Sequence, residues 1–194
     1  MADSRSSARL RPAEHEDYYW IYQLVTSPEV ELQWHHHGEL TSFDTFAARL
    51  GDGSLHLIVD DGAGTRVGYA SCYGMDFRNG HAAIAFAFPS TVPAIFRASG
   101  PWVFLDHLFR TYPFRKLYGE IVDFNLPRFR RGFRRFFDEE GRLREHVFVN
   151  GAYRDVVHVS ITREGFERGR ASFSRLAERI DAAAAGDAAG TMHA

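Results

Sequence analysis

The chain has 194 residues, of which 45% are hydrophobic, 25% charged and 14% aromatic, and its formal net charge is −2. This composition is typical of a globular domain with a sizeable core, and it excludes collagen, coiled coil and disorder of the whole chain. The near-neutral charge argues against a general binder of nucleic acids or membranes, and neither a membrane span of ~20 apolar residues nor an apolar leader is present, so we expect a cytoplasmic protein.

The two ends of the chain differ in composition from the rest. Residues 1–7 are small and polar, and residues 181–194 are rich in alanine and glycine. Neither segment can bury enough apolar surface to fold, so both are predicted to be disordered. Residues 8–180 contain neither an internal repeat nor a linker and predict a single domain. The single cysteine, Cys72, excludes an intrachain disulfide and fits a reducing compartment.

The first elements are an extended segment and two helices. Residues 8–11 are extended before Pro12, and apolar residues recur at helical spacing over 14–26. Thr41 and Asp44 resemble a capping box at the start of a second short helix that ends at Gly51.

Three strands follow, over residues 54–60, 66–75 and 81–88. Asn79-Gly80 lies between the second and third strands and is a strong hairpin signal. Because the third strand is apolar without alternation, we predict that it lies at the centre of the sheet with both faces covered.

The second half of the domain alternates helices and strands. In chain order, we predict a loop over 89–99, a helix over 101–109 with Pro101 at its first position, a strand over 116–122, a helix over 127–137, a hairpin of strands 143–149 and 152–162 turned by Asn150-Gly151, and a helix over 164–180. This order predicts an α+β fold, a mixed and mostly antiparallel sheet with helices on both faces.

A run of three histidines follows Trp34 in the loop between the first two helices. Adjacent side chains of an extended chain point in alternate directions, so three neighbours cannot bind one metal ion unaided, and we predict no metal site. We interpret Trp34, His35 and His37 as the rim of a substrate pocket. The alternative is an ordinary exposed loop.

Five arginines alternate with phenylalanines after Asn125, at positions 128, 130, 131, 134 and 135. They are either the solvent face of an amphipathic helix or a site for an anionic group, because a guanidinium binds phosphate oxygens in pairs. A few phosphates or an acidic carrier fit the overall charge better than a nucleic acid.

Two further sets of residues could serve binding and catalysis. A loop that ends on a helix N-terminus, as predicted for Arg97, Ala98, Ser99 and Gly100, presents backbone N–H groups to a pyrophosphate. Acid or base groups are available in Glu120, Glu145 and Tyr153. Glu145 shares a strand face with Val147 and Val149, and is either at a pocket edge or on the surface.

Four segments together resemble a known family. They are LRP at 10–12, RVGYA at 66–70, RKLYGEIVDFN at 115–125 and the pattern E-G-x-x-R-x-x-x-x-x-x-G-x-Y-x-D at 140–155. The sequence resembles the GNAT acyltransferase superfamily over residues 9–167. Within it, the segments are similar to the branch of the ribosomal-protein alanine N-acetyltransferases and their small-molecule-acting relatives.

The resemblance implies transfer of an acetyl or longer acyl group from coenzyme A to the amine of a small molecule or peptide, in a monomer or homodimer, and we expect a role in specialised metabolism. It implies that the CoA arm lies between the third strand and the strand that begins near Lys116. By position, main-chain groups of Phe86, Ala87 and Phe88 would bind pantetheine, and Asn125 would bond the arm. Residues 97–100, together with Arg130, would hold the phosphates. Glu145 or Glu120 would be the base, and Tyr153 would protonate the leaving thiolate.

The phosphate-binding loop departs from the family pattern. Arg97-x-x-Gly100-x-Trp102 has an indole where the family has a small residue, and Arg128 stands where the family often has a serine. Three interpretations remain open: a longer acyl-CoA or an altered CoA pose, an acyl carrier protein as donor, or a non-catalytic GNAT-like binding module.

Overall fold

The computed structural model describes residues 8–32, 34, 41–51, 53–127 and 136–170, and these residues build one mixed sheet with helices on both faces. The strands are β1 (Arg9–Pro12), β2 (Leu55–Asp60), β3 (Arg66–Asp76), β4 (His81–Ala87), β5 (Lys116–Val122), β6 (Asp138–Val149) and β7 (Ala152–Thr162). The helices are a 3-10 turn (His15–Asp17), α1 (Tyr18–Val25), α2 (Phe43–Arg49), α3 (Ala94–Thr111), a second 3-10 turn (Asp123–Asn125) and α4, which begins at residue 163 and is described to residue 170.

The sheet has the strand order β1-β2-β3-β4-β5-β7-β6. Every neighbouring pair is antiparallel except β4 and β5, which run parallel. β4 is therefore the central strand, as predicted, and the predicted α+β class is confirmed.

Two apolar clusters cover the two faces of the sheet. α3 and α4 pack on one face through residues such as Phe104, Leu108 and Phe166. α1 and α2 pack on the other face, where Ile21 and Phe46 join the cluster. Because β4 contributes Ile84 to the first cluster and Ala87 to the second, its apolar run is explained by burial on both sides.

A buried carboxylate ties β1, β3 and the start of α1 together. The Asp17 side chain is fully buried and accepts hydrogen bonds from two nitrogens of Arg11, from Nε of Arg66 and from the backbone N–H of Glu14. The segments LRP and RVGYA, distant in sequence, thus meet at one anion. Hydrogen bonds from Arg11 outweigh the effect of burial and hold the pKa of Asp17 well below its usual range.

The hairpin between β6 and β7 turns at the predicted dipeptide. Asn150 and Gly151 have φ values of 50° and 77°, and Val149 pairs with Ala152 across the turn. Two positive φ values are the signature of the hairpin turn that Asn-Gly favours, so this prediction is confirmed.

Two boundaries, at α2 and β6, differ from the sequence prediction. Ser42, not Thr41, caps α2, because the Ser42 side chain accepts from the Thr45 N–H. The carbonyl of Thr41 instead accepts from the Tyr22 hydroxyl at 2.8 Å. β6 begins at Asp138 rather than at residue 143, since main-chain pairing with β7 extends its polar first half. The helix predicted over 127–137 lies mostly outside the described residues.

α3 begins at Ala94, seven positions before the predicted start at Pro101. Pro93 is its N-cap, and Ile95 and Phe96 of the first turn are buried in the core. Burial of these two side chains outweighs the hydrogen bond that Pro101 cannot donate inside the helix. Residues 97–100 are therefore helical, and the prediction that they form a loop is wrong.

None of the helices in the described part of the chain combines the length and hydropathy that a membrane span requires.

Candidate active site

β4 and β5 separate along their length. They pair at three positions, His81 with Lys116, Ala82 with Leu117 and Ala83 with Tyr118. Beyond these positions β4 stays paired with β3 as far as Ala87, and β5 stays paired with β7 as far as Val122. The facing edges of β4 and β5 therefore leave a split, whose vertex is at Ala83 and Tyr118.

The edges of the split suit an extended ligand. Alternate residues of a strand direct their N–H and C=O groups to the same edge, so strands that have parted offer donors and acceptors to an extended chain. Phe86 and Ala87 lie on β4 beside the split, and Phe88 follows them. Asn125 lies in the 3-10 turn that continues from β5 at the wide end.

Asp123 supplies a further observation at the wide end. Its Oδ1 atom is buried and has no hydrogen-bond partner among the residues that the structure describes. A buried acceptor without a donor costs free energy unless a ligand supplies one.

Glu120 is the first side chain after the vertex that can take part in acid-base chemistry. On β5, Leu117 and Ile121 pack into the cluster under α3, so Tyr118 and Glu120 project from the opposite face. Counting two residues from the vertex along each strand places Glu120 across the split from Ala85. The Glu120 side chain is 56% exposed and can be reached by a substrate.

Two other ionisable groups share the surroundings of Glu120. His158 is the register partner of Glu120 on β7, and its Nδ1 lies 3.9 Å from Glu120 Oε1. Tyr73 of β3 lies in the same cross-strand row as Ala83 and Tyr118. Burial, and then the negative charge of Glu120, raise the pKa of Tyr73 well above its usual value, so this phenol keeps its proton at neutral pH.

The ring of Phe88 occupies a slot between β3 and α3. A Cβ atom placed on Gly68 or on Gly100 would lie 2.2 Å and 2.6 Å, respectively, from this ring. The absence of side chains at these two glycines is what admits the ring. The glycine at position 100 is therefore explained by the packing of α3 against Phe88.

The helical state of residues 97–100 changes how a phosphate could be bound there. The backbone N–H of Arg97 donates to Pro93 within the first turn, and Ser99 and Gly100 are buried. The Arg97 side chain is exposed, next to Ala98. Binding of an anion at this end of α3 would rely on the free N–H groups of the first turn and on the Arg97 side chain rather than on a glycine-rich loop.

Glu145 does not lie where strand alternation placed it. Residues 144–146 oppose the single residue Asp155 in a bulge, and Glu145 has a φ of 49°. The shared face with Val147 and Val149 is therefore wrong, because a bulge breaks the period of two. β6 is the edge strand, separated from β5 by β7, so Glu145 is about 10 Å from β5 in strand spacings.

Tyr153 is also remote from the vertex. Its side chain is 67% exposed and packs edge-on against Phe148 near the tip of the β6-β7 hairpin. Pairing of β7 with β5 ends at Val156, so Tyr153 lies beyond the end of β5.

Trp34 lies in the apolar cluster under α1 and α2. It is buried, and its ring centroid lies 5.4 Å from that of Tyr69 on β3. His35, His37 and Arg130 lie outside the described residues.

Sequence reasoning missed Tyr73 and His158. Each is one residue in an otherwise ordinary strand, and only strand register brings them to Glu120. Within the described ranges, no group of three His, Cys, Asp or Glu side chains could hold a metal ion.

Solved structures match this architecture. A spermidine N-acetyltransferase from Vibrio cholerae, in complex with CoA and spermine, superimposes with a TM-score of 0.74 at 22% identity, over 83% of this chain and 98% of that one. The protein has the GNAT fold. A chimera of the Vibrio cholerae enzyme with hSSAT superimposes with a TM-score of 0.73 at 21% identity, over 82% of this chain and 98% of that one. Mutant forms of the same enzyme superimpose with a TM-score of 0.72 at 21% identity, over 84% of this chain and 98% of that one. No protein-family model and no curated protein sequence matches the chain.

The match confirms the predicted GNAT fold, and the sheet is mixed and mostly antiparallel, as expected. At this level of identity, the likeness concerns the fold. The chemistry rests on the residues at the vertex.

Proposed function

We propose that this protein is an acyl-CoA-dependent N-acyltransferase that transfers an acetyl or longer acyl group to the amine of a small molecule or peptide. The observation that carries the proposal is a solvent-accessible carboxylate, Glu120, next to the vertex of the β4-β5 split in a GNAT fold. Direct transfer needs a base at the amine and an extended binding edge for the donor, and both meet at this point.

The donor arm would lie in the split. Main-chain groups of 86–88 on one side, and Asn125 with the buried Oδ1 of Asp123 on the other, would bind its amides. The pyrophosphate would lie at the start of α3, where Arg97 is an exposed cation. CoA, when bound, supplies the acyl group as a thioester.

Glu120 would take a proton from the ammonium form of the acceptor. The free amine then attacks the thioester carbonyl, the C–S bond breaks, and the leaving thiolate takes the second proton that the nitrogen loses. Tyr73, which keeps its proton at neutral pH, would donate a hydrogen bond near the vertex.

Two acceptor classes have support. The structural matches include a spermidine N-acetyltransferase with spermine bound, which favours a small-molecule polyamine. The sequence pattern at 140–155 favours the branch that acts on peptide N-termini. Both acceptors are primary amines that are protonated at neutral pH and need the same base.

The experiment is a thiol-release assay with acetyl-CoA and longer acyl-CoAs, using spermidine, spermine and a peptide with N-terminal alanine as acceptors. Glu120→Gln should lower kcat by about a hundredfold or more, because general-base catalysis commonly contributes at least this factor. Glu145→Gln is the matched control, and it should leave kcat within about twofold since its side chain is exposed on the edge strand.

A thermal-shift titration with CoA accompanies the assay, because a ligand that binds the folded state raises the melting temperature. Glu120→Gln should keep this shift while losing turnover. A shift with no turnover on any acceptor would favour the binding-module interpretation. Turnover only with an acylated carrier protein would show that the carrier protein, and not CoA, is the donor.

A further inference from the structure

We propose that His158 carries the proton of the acceptor amine away from Glu120 to solvent. This inference rests on the proposed function. It concerns a residue on β7, a strand that does not border the split, and it follows from the position of His158 relative to Glu120.

The reaction releases one proton in each turnover. An ammonium acceptor and an acyl thioester give an amide, a free thiol and one proton. Of the two protons that the nitrogen loses, one ends on the thiolate and the other must reach solvent. The base therefore needs a route to give up its proton before the next cycle.

His158 lies on the side of Glu120 that the substrates leave open. β5 separates the split from β7, so a ligand in the split covers Glu120 from the β4 side and leaves the β7 side accessible. His158 Nδ1 is 3.9 Å from Glu120 Oε1, a distance that small side-chain rotations or one water can bridge. The His158 side chain is 33% exposed, so its ring also reaches solvent.

The other ionisable groups near Glu120 do not compete with His158 for its proton. Lys116 is held by Glu140, with 2.6 Å between Nζ and Oε1, and Glu140 also accepts from Ser160. Tyr73 and Tyr118 are phenols, which do not accept a proton from a carboxylic acid. An imidazole can accept a proton at one ring nitrogen and release one from the other.

His81 provides a matched control on the same face of the sheet. Its Nε2 lies 3.8 Å from Asp76 Oδ2, so it forms a histidine-carboxylate pair of nearly the same length as that of His158. It is also one-third exposed. However, it lies at the paired start of β4 and has no contact with Glu120.

The test compares His158→Ala, His158→Gln and His81→Ala in the thiol-release assay, with and without added imidazole. Both substitutions at His158 should lower kcat about tenfold or more, with little change in KM for acyl-CoA, since a relay contributes a part of the acid-base factor. Imidazole should restore a substantial part of kcat to His158→Ala, which leaves space for it. His81→Ala should stay within about twofold of the parent, with no response to imidazole.

Several outcomes would overturn the proposal. An unchanged kcat in both His158 variants would show that Glu120 exchanges its proton directly with solvent. A lowered kcat that imidazole and other buffers fail to raise would assign His158 a purely positional role. If the parent protein turns over no acyl-CoA, the proposed function itself is wrong, whereas loss in Glu120→Gln with full activity in His158→Ala removes only this inference.

Discussion

Replacing Asp17 with asparagine should destabilise the protein strongly, although Asp17 has no part in the proposed reaction. The buried carboxylate bonds to Arg11 at 2.5 and 2.7 Å, to Arg66 at 2.7 Å and to the Glu14 N–H at 2.8 Å. The asparagine amide would retain one acceptor oxygen and turn an N–H donor toward a guanidinium. Breaking a buried ion pair costs about 3 to 5 kcal/mol, and the lower end applies because both arginines are about one-third exposed and regain water.

A loss of about 3 kcal/mol corresponds to a fall in Tm of roughly 6 to 12 °C for a chain of this length. Thermal unfolding followed by circular dichroism measures it. The control is Asp106→Asn, because Asp106 also pairs with two arginines, Arg110 and Arg170, but is 27% exposed. Asp106→Asn should lower the free energy of unfolding by less than about 1 kcal/mol, as for surface ion pairs.

The difference in Tm between the parent and Asp17→Asn should become smaller at low pH. The pKa of Asp17 is lowered in the folded state, chiefly by the hydrogen bonds from Arg11. Its contribution to stability is therefore complete above the unfolded-state pKa of about 3.9 and is lost as pH falls through the lower folded-state pKa. The Tm gap should be constant from about pH 5 to 8 and narrow below about pH 4. A gap below about 2 °C at pH 7, or one equal to that of Asp106→Asn, would refute this account.

Three further predictions concern the core, the turn and the vertex. Burial raises the pKa of the Cys72 thiol to about 12, so at pH 8 a thiol reagent should modify the native protein about a thousandfold more slowly than the unfolded chain, and comparable rates would contradict this. Gly151→Ala should lower the free energy of unfolding by about 1 to 2 kcal/mol because of its φ of 77°, whereas Gly141→Ala, in open space without a positive φ, should be nearly neutral in the same denaturant titration. Tyr73→Phe should lower kcat and leave the CoA-induced thermal shift unchanged, while Tyr153→Phe should change neither, and equal effects of the two would remove Tyr73 from the site.

The sequence by itself determined the features that depend on local preference. Asn150-Gly151 turns the last hairpin because these residue types tolerate positive φ, whatever surrounds them. The unbroken apolar run of β4 needs cover on both faces, and this requirement alone predicts its place at the centre of the sheet. Glu120 could be selected as a base candidate because it is a carboxylate on a predicted strand beside the expected arm.

Only the tertiary structure decided which side chains meet. The start of α3 at Ala94 depends on burial of Ile95 and Phe96 against the sheet, which local signals at Pro101 cannot anticipate. The bulge at Glu145 depends on how β6 is matched to β7, and the strand order puts β6 at the edge of the sheet, separated from β5 by β7. His158 and Glu120 are 38 positions apart in the sequence and adjacent in space, because strand register is a long-range property set by packing of whole faces.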